Sequence, residues 1–423
     1  MGTECPTALT APDATPQRRA LPYPYRAMMA ICSDVDETPD RRVYADIMRF
    51  LNTDRDTAMG PGVGLEVGNS MYFDMPPDQF AYWNTDEAGR EMIRTLIRSG
   101  HVDCLHSYGD LAATRAHAGR ALDELARHDL RPEVWIDHST APTNLGPDIM
   151  QGHGDQPGHE AYHADLTAGF GVRYVWIGRV TSVIGQEVPP SVGGLFRPDH
   201  PIRSGRTVAK ELAKRVLARR GNAKYAIHAD NRLLSPRTLR DGTAVYEFLR
   251  SNPYWGGVSQ AATASGLGEV LTERMLDRLV GREGACLLYT HLGKVRDPRR
   301  PFDAEAAAAL RRLGQAYRDG RILVTTTRRL LGYFRAAREV VCSTRSDGGR
   351  TWFDLTTPAV GPLADVPLGR SDLSGMTFYV PKASSAGLTV NGREAADVVR
   401  NGPDHTGRES ISLPWPWLTF PDL

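Results

Sequence analysis

The stretch Ala30-Ile31-Cys32-Ser33-Asp34-Val35-Asp36-Glu37-Thr38 decides how the chain is read. An apolar strand runs into two aspartates two residues apart. Side chains at i and i+2 of a strand leave the same face. Asp34 and Asp36 therefore point together into the mouth of whatever sheet or barrel this strand joins. Two carboxylates that close repel each other unless a proton or a cation lies between them. A metal-dependent hydrolase needs that arrangement. The plainer alternative makes them turn or cap residues before Pro39 and the next helix.

Working outward, apolar strand-like runs alternate with helical patterns. The spacing predicts strands at 28–32, 63–67, 102–105, 134–136, 174–177, 224–227, 286–289 and 322–325. Between them it predicts helices at 41–51, 86–99, 111–128, 159–168, 208–220, 267–281 and 304–319. Strands alternating with helices mean parallel βα units, and seven or eight of them fit a closed barrel better than an open sheet. In such a barrel the chemistry sits where strands end and loops begin. Asp34, Asp36, His106, Asp137, His138 and His291 all fall just past a predicted strand. The expected fold is thus α/β, a distorted (β/α)7-8 barrel over residues 25–338. Residues 339–423 are rich in Gly, Pro, Ser and Thr and read as a small C-terminal β-sandwich-like module, with Leu388-Thr389-Val390-Asn391-Gly392 a strand entering a tight turn. Residues 1–24 read as a disordered leader without the apolar core of a secretory signal.

The chain has 423 residues, 51 Lys+Arg against 50 Asp+Glu and a formal net charge of +1, which gives no electrostatic case for nucleic acid or an anionic membrane. No apolar run approaches the roughly 20 residues that span a bilayer. Five widely spaced cysteines form no CxxC pair, which argues against a disulfide framework and fits a reducing cytoplasm.

Two further segments carry chemistry. His106-Ser107-Tyr108-Gly109-Asp110 follows the strand 102–105. His106 and Asp110 are four apart, so both can reach one cation; the plainer alternative makes Asp110 the N-cap of the next helix. Tyr289-Thr290-His291 ends a late strand, where a histidine can protonate a leaving amine or serve as a satisfied structural residue. A competing signal, His159-Glu160-Ala161-Tyr162-His163, spells HExxH. It follows Pro157-Gly158, has no third ligand downstream, and reads as the start of a surface helix.

Three motifs in this order resemble the polysaccharide deacetylase superfamily, the NodB-like or family-4 carbohydrate esterases. The resemblance covers roughly residues 25–338. It implies a catalytic base at Asp34, an acid at His291 and a divalent metal on Asp36, His106 and Asp110. Zinc is the first choice, with Mn, Fe or Mg as harder alternatives because Asp110 stands where the family has its second histidine. Substrate-binding candidates around the mouth are Asp137, His138, Asn144, Trp176 and Arg179, although the family's groove arginine is absent after the strand 134–136. The implied function is metal-dependent hydrolysis of an amide, an N-acetyl group, on a sugar or sugar-containing small molecule in the cytoplasm. Glycosidic cleavage or epimerisation at the same site, and a non-catalytic carbohydrate-binding barrel, are the alternatives.

Overall fold

The computed structural model describes residues 17–34, 37–198, 200–253, 263–357, 363 and 366–423. The main body is built on eight parallel strands: β1 (Ala27–Ser33), β2 (Asn69–Met71), β3 (Val102–His106), β4 (Val134–Ile136), β5 (Tyr174–Trp176), β6 (Ala244–Phe248), β7 (Ala285–Thr290) and β8 (Ile322–Thr325). One sheet runs β2-β3-β4-β5-β6, with Leu234–Thr238 antiparallel on its outer edge. The other runs β8-β1-β7 and continues through Arg250–Ser251 and Val180–Thr181.

Those last two segments are the continuations of β6 and β5, so two strands start in one sheet and finish in the other. Gly178 makes the bend after β5. Its φ is +93°, and a Cβ there would lie 2.6 Å from Ile149 Cγ2, so glycine is required on both counts. On the far side Ser70 Oγ donates to Ser33 O at 2.7 Å. Among the described residues no main-chain ladder joins β1 or β8 to β2, so hydrogen bonds do not close the ring there.

Alternation along the strands builds the core. Met28, Ala30 and Cys32 of β1 share one buried cluster with Cys104, Val134, Ile136, Tyr174, Trp176, Phe248, Leu287 and Tyr289. Ala27, Met29 and Ile31 face the opposite way. They pack with Cys286, Leu288, Val324 and the apolar stripes of helices Arg41–Asn52, Glu273–Arg282 and Ala304–Arg318. Leu105, Trp135 and Val175 likewise face outward. Strands buried on both faces are what parallel βα architecture demands. Four of the helices start on side-chain caps: Asp40, Asp86, Thr272 and Asp303 each accept from a main-chain N–H in the first turn. Among the described residues, no helix is long and apolar enough to cross a membrane.

Several expected elements move. The run 63–67 is not a strand: Val63 N and Leu65 N donate to Phe50 O and Leu51 O at the end of the first helix, and β2 begins only at Asn69. The run 224–227 lies in a short 3-10 helix, Ala223–His228, whose first turn is capped by Asn222. The strand of that region is β6. The expected helix 111–128 starts at Arg115 after Thr114, and the one over 267–281 breaks into Leu267–Val270 and Glu273–Arg282.

Beyond the helix Thr327–Glu339 come two four-stranded sheets. One joins Val341–Asp347, Arg350–Thr356, Ala386–Val390 and Arg393–Glu394, the last two linked through Asn391 and Gly392, both at positive φ. The other joins Thr377–Tyr379, Ser410–Ser412 and Val399–Asn401 with Gln17–Arg18. Phe353 and Phe378 meet between them, ring centroids 4.6 Å apart. The expectation of a disordered leader through residue 24 is therefore corrected from Gln17 on. Arg18 and Gln17 pair with Phe378 and Tyr379, and Arg19 is buried beside Asp404.

Candidate active site

Strand parity sets the site. Asp34 follows Cys32 by two residues, His106 follows Cys104, Trp176 follows Tyr174, Arg250 follows Phe248, and His291 follows Tyr289. Each leading residue belongs to the inward cluster, so each follower continues the inward row at the carboxyl end of its strand.

Asp34 is at the centre and 3% exposed. Arg250 grips it with both ends of its fork: Nη1 donates to Oδ1 at 2.5 Å and Nη2 to Oδ2 at 3.1 Å. The guanidinium is itself fully buried, 3.4 Å from the centre of the Trp176 ring and 4.0 Å from that of Tyr289. Two aromatic faces thus hold the cation flat against the carboxylate. His106 Nε2 lies 3.6 Å from Asp34 Oδ1, and His291 Nε2 lies 3.7 Å from Oδ2. Burial alone would raise the Asp34 carboxyl. The charge of Arg250, then those of His106 and His291, outweigh it and hold the group below the usual carboxylate range.

A second layer stands behind His106. Its ring stacks on Tyr72 at 4.5 Å and meets the His138 ring edge-on at 4.8 Å. Asp110 Oδ1 is 2.6 Å from His138 Nδ1. Asp110 is thus not the helix cap, since Thr114 occupies that position. Its carboxylate is engaged on His138, the ring next to His106. Among the described residues, no three His, Cys, Asp or Glu side chains are grouped to hold a metal ion. Asp36 lies outside the described residues.

The five substrate-binding candidates divide. His138 and Trp176 line a cleft of about 580 Å³ whose floor includes Asp34, Tyr289 and His291. Asp137 and Arg179 also border it, yet both are committed to the protein. Asp137 accepts from Trp135 Nε1, Leu145 N and Gly146 N; burial pushes its pKa up to about 7 against the pull of these donors. Arg179 forms a two-pronged pair with Asp148 and lies 3.3 Å from Glu247. Asn144 is removed from the cleft altogether: it clamps the loop by bonding His138 N, His138 O and Met150 O. The HExxH segment is a series of turns, and both ring nitrogens of His163 are taken, by Thr167 Oγ1 and Thr143 O.

Arg250 is the site residue that sequence reasoning misses. Its signal is present: the run Ala244–Leu249 follows the turn Asp241-Gly242 and ends in a charged residue, like the other site strands. Glu247 in mid-run hides the strand, and the fold accommodates it with Arg237 at 2.9 Å and Arg179.

No protein-family model matches the chain, and neither a curated protein nor a solved structure matches it.

Proposed function

We propose that the cleft is the active site of a hydrolase that cleaves an amide, in the first instance an N-acetyl group, on a sugar or sugar-containing small molecule. The observation that carries this reading is a buried Asp34 gripped by Arg250 and flanked by two imidazoles in the lining of a cleft. The same reading takes the two sheets as a distorted barrel and takes the free thiols among the described residues, Cys32, Cys104, Cys286 and Cys342, as suited to a reducing cytoplasm.

Asp34 is the base and His291, on the cleft side of the carboxylate, protonates the departing amine. A carboxylate held this low draws a proton only from an acidified water. A divalent ion, if bound here, would supply that acidity and the polarisation of the amide carbonyl. The donors suit such an ion in part. His106 and His138 stand ring to ring, and Asp110 backs His138 as a carboxylate that orients a ligating imidazole. The ligands would then be His106 and His138 with Asp36, and the reason for preferring a harder metal falls away, leaving zinc. The paired-carboxylate route to glycosidic cleavage has weaker support, because Asp137 and Asp110 are already committed to protein partners.

The test is metal content and acetate release from N-acetylated sugars, for wild type, His138→Ala and Asp110→Ala. Stoichiometric metal that is lost in His138→Ala and bound roughly 10–100-fold more weakly in Asp110→Ala, the order of second-shell losses, would support the ligand set. Metal kept in His138→Ala would return Asp110 to the ligand shell. A wild type that holds no metal and releases no acetate would sink the hydrolase.

A further inference from the structure

One wall of the cleft is cationic. Its lining includes Lys210, Lys214, Lys224, Lys294 and Arg179, against the carboxylates Asp34 and Asp137; Asp34 is matched by Arg250, and Lys294 pairs with Glu37 at 3.3 Å. The lysines are not scattered. Lys210 and Lys214 are one turn apart on the helix Pro201–Arg219, and Lys224 is on the 3-10 turn that packs against it. Like charges at i and i+4 oppose each other. Glu211 between them, 2% exposed, pairs with Lys214 at 2.8 Å and accepts from Thr181 Oγ1 and Ser182 N. Asp148 lies on the far side, held by Arg179.

His228 sits among the same charges. It lines the cleft and is 5% exposed. Burial first, then Lys214, lowers its pKa to about 3, with Arg179 and Arg215 adding to the effect and Glu211 opposing it. Lys210 is lowered as well, by burial and then by Lys214. The wall therefore sets a neutral imidazole among ammonium groups, with Glu211 on Lys214 and Glu37 on Lys294 as partial counter-charge.

We infer that this wall binds a phosphoryl group on the substrate, so that the molecule entering the cleft is a phosphorylated or nucleotide-linked amino sugar rather than a neutral one. The inference rests on the hydrolase reading for what happens at Asp34, but binding at the wall is independent of turnover. Ammonium groups act as point charges with several donors each, which suits the dispersed charge of a phosphate. The wall and Asp34 border one cavity, so the phosphoryl group would anchor the sugar while its amide reaches Asp34 and His291.

The test is equilibrium binding by calorimetry, at low salt and at about 0.3 M salt, of N-acetylglucosamine, its 1-phosphate, glucuronate and inorganic phosphate. Wild type is compared with Lys210→Gln, Lys224→Gln and, as a control on the distant module, Lys382→Gln. The expected result is at least about tenfold tighter binding of the 1-phosphate than of the neutral sugar, a gap that salt narrows. Each wall variant should lose most of that gap, and the control should keep it. Equal binding of the two sugars would overturn the inference, as would glucuronate binding as tightly as the 1-phosphate, or a gap unchanged in both wall variants. If the 1-phosphate binds with the predicted preference but no acetate is released, the hydrolase reading fails and the anion site stands.

Discussion

Two buried arginines, Arg19 and Arg250, show how one side chain serves two purposes. Arg19 ties the chain where the first described residues meet the C-terminal module. Its Nη1 donates to Leu21 O, Pro22 O and Tyr25 O at 2.8, 3.0 and 2.7 Å, and its Nε donates to Asp404 at 2.9 Å. Arg250 spends its oxygen-bound donors on the single carboxylate of Asp34. Its Nε finds no acceptor among the described residues, and ring faces cover the rest. Arg19 is satisfied mainly by main-chain carbonyls and so fixes a backbone path. Arg250 is satisfied by one ionisable group and so fixes that group's charge. The first arrangement contributes to stability, whereas the second holds a reactive carboxylate ionised at some cost in desolvation.

The largest expected effect breaks the Arg250 side of the comparison. Asp34→Asn keeps the shape but leaves Arg250 buried without its anion. On the proposed function, acetate release should fall by at least about 10³-fold, and urea unfolding should show a loss of about 3–5 kcal/mol. Adding Arg250→Met should restore much of the stability and none of the turnover. A double variant as unstable as the single one would show that the pair is not coupled in this way.

Next comes Arg19→Met, which orphans several carbonyls. It should cost about 2–4 kcal/mol by urea unfolding with turnover per folded molecule unchanged. A changed kcat would erase the distinction between the two arginines.

The smallest effect sharpens the comparison by pH. His163 is fully buried and neutral, with its pKa lowered to about 4, first by burial. The unfolded chain takes up its proton near the ordinary histidine value of about 6.5 and the folded chain only near 4, so acidification through this window favours unfolding. His163→Gln should remove roughly 2–3 kcal/mol of the stability lost across that window. Identical pH slopes in wild type and variant would assign the acid sensitivity elsewhere.

Much of the site is legible in the sequence because strand parity is a strong rule. Asp34, His106 and His291 each extend an inward row that begins with an apolar residue, and all three meet at one point. What stays hidden has physical causes. Arg250 ends a strand whose middle residue, Glu247, is charged but paired after folding. Asp110 looks like a cap or a ligand by spacing alone, while its partner His138 is 28 residues away. Asn144 and Arg179 sit where ligand-binding residues sit, yet their donors and acceptors are used to shape the loops. The run 63–67 is as apolar as a strand and packs instead against the end of a helix.

The pairing of Gln17–Arg18 with Phe378 and Tyr379 sets an order of events during synthesis. The Gln17–Arg18 segment leaves the ribosome long before its partner strand, more than 350 residues later, exists. The body built on the two parallel sheets can gather while that segment waits, and the module's second sheet gains its edge only when Thr377–Tyr379 emerges. The module expressed from residue 340 onward would therefore lack one strand, and supplying residues 17–24 in trans is the way to complete it.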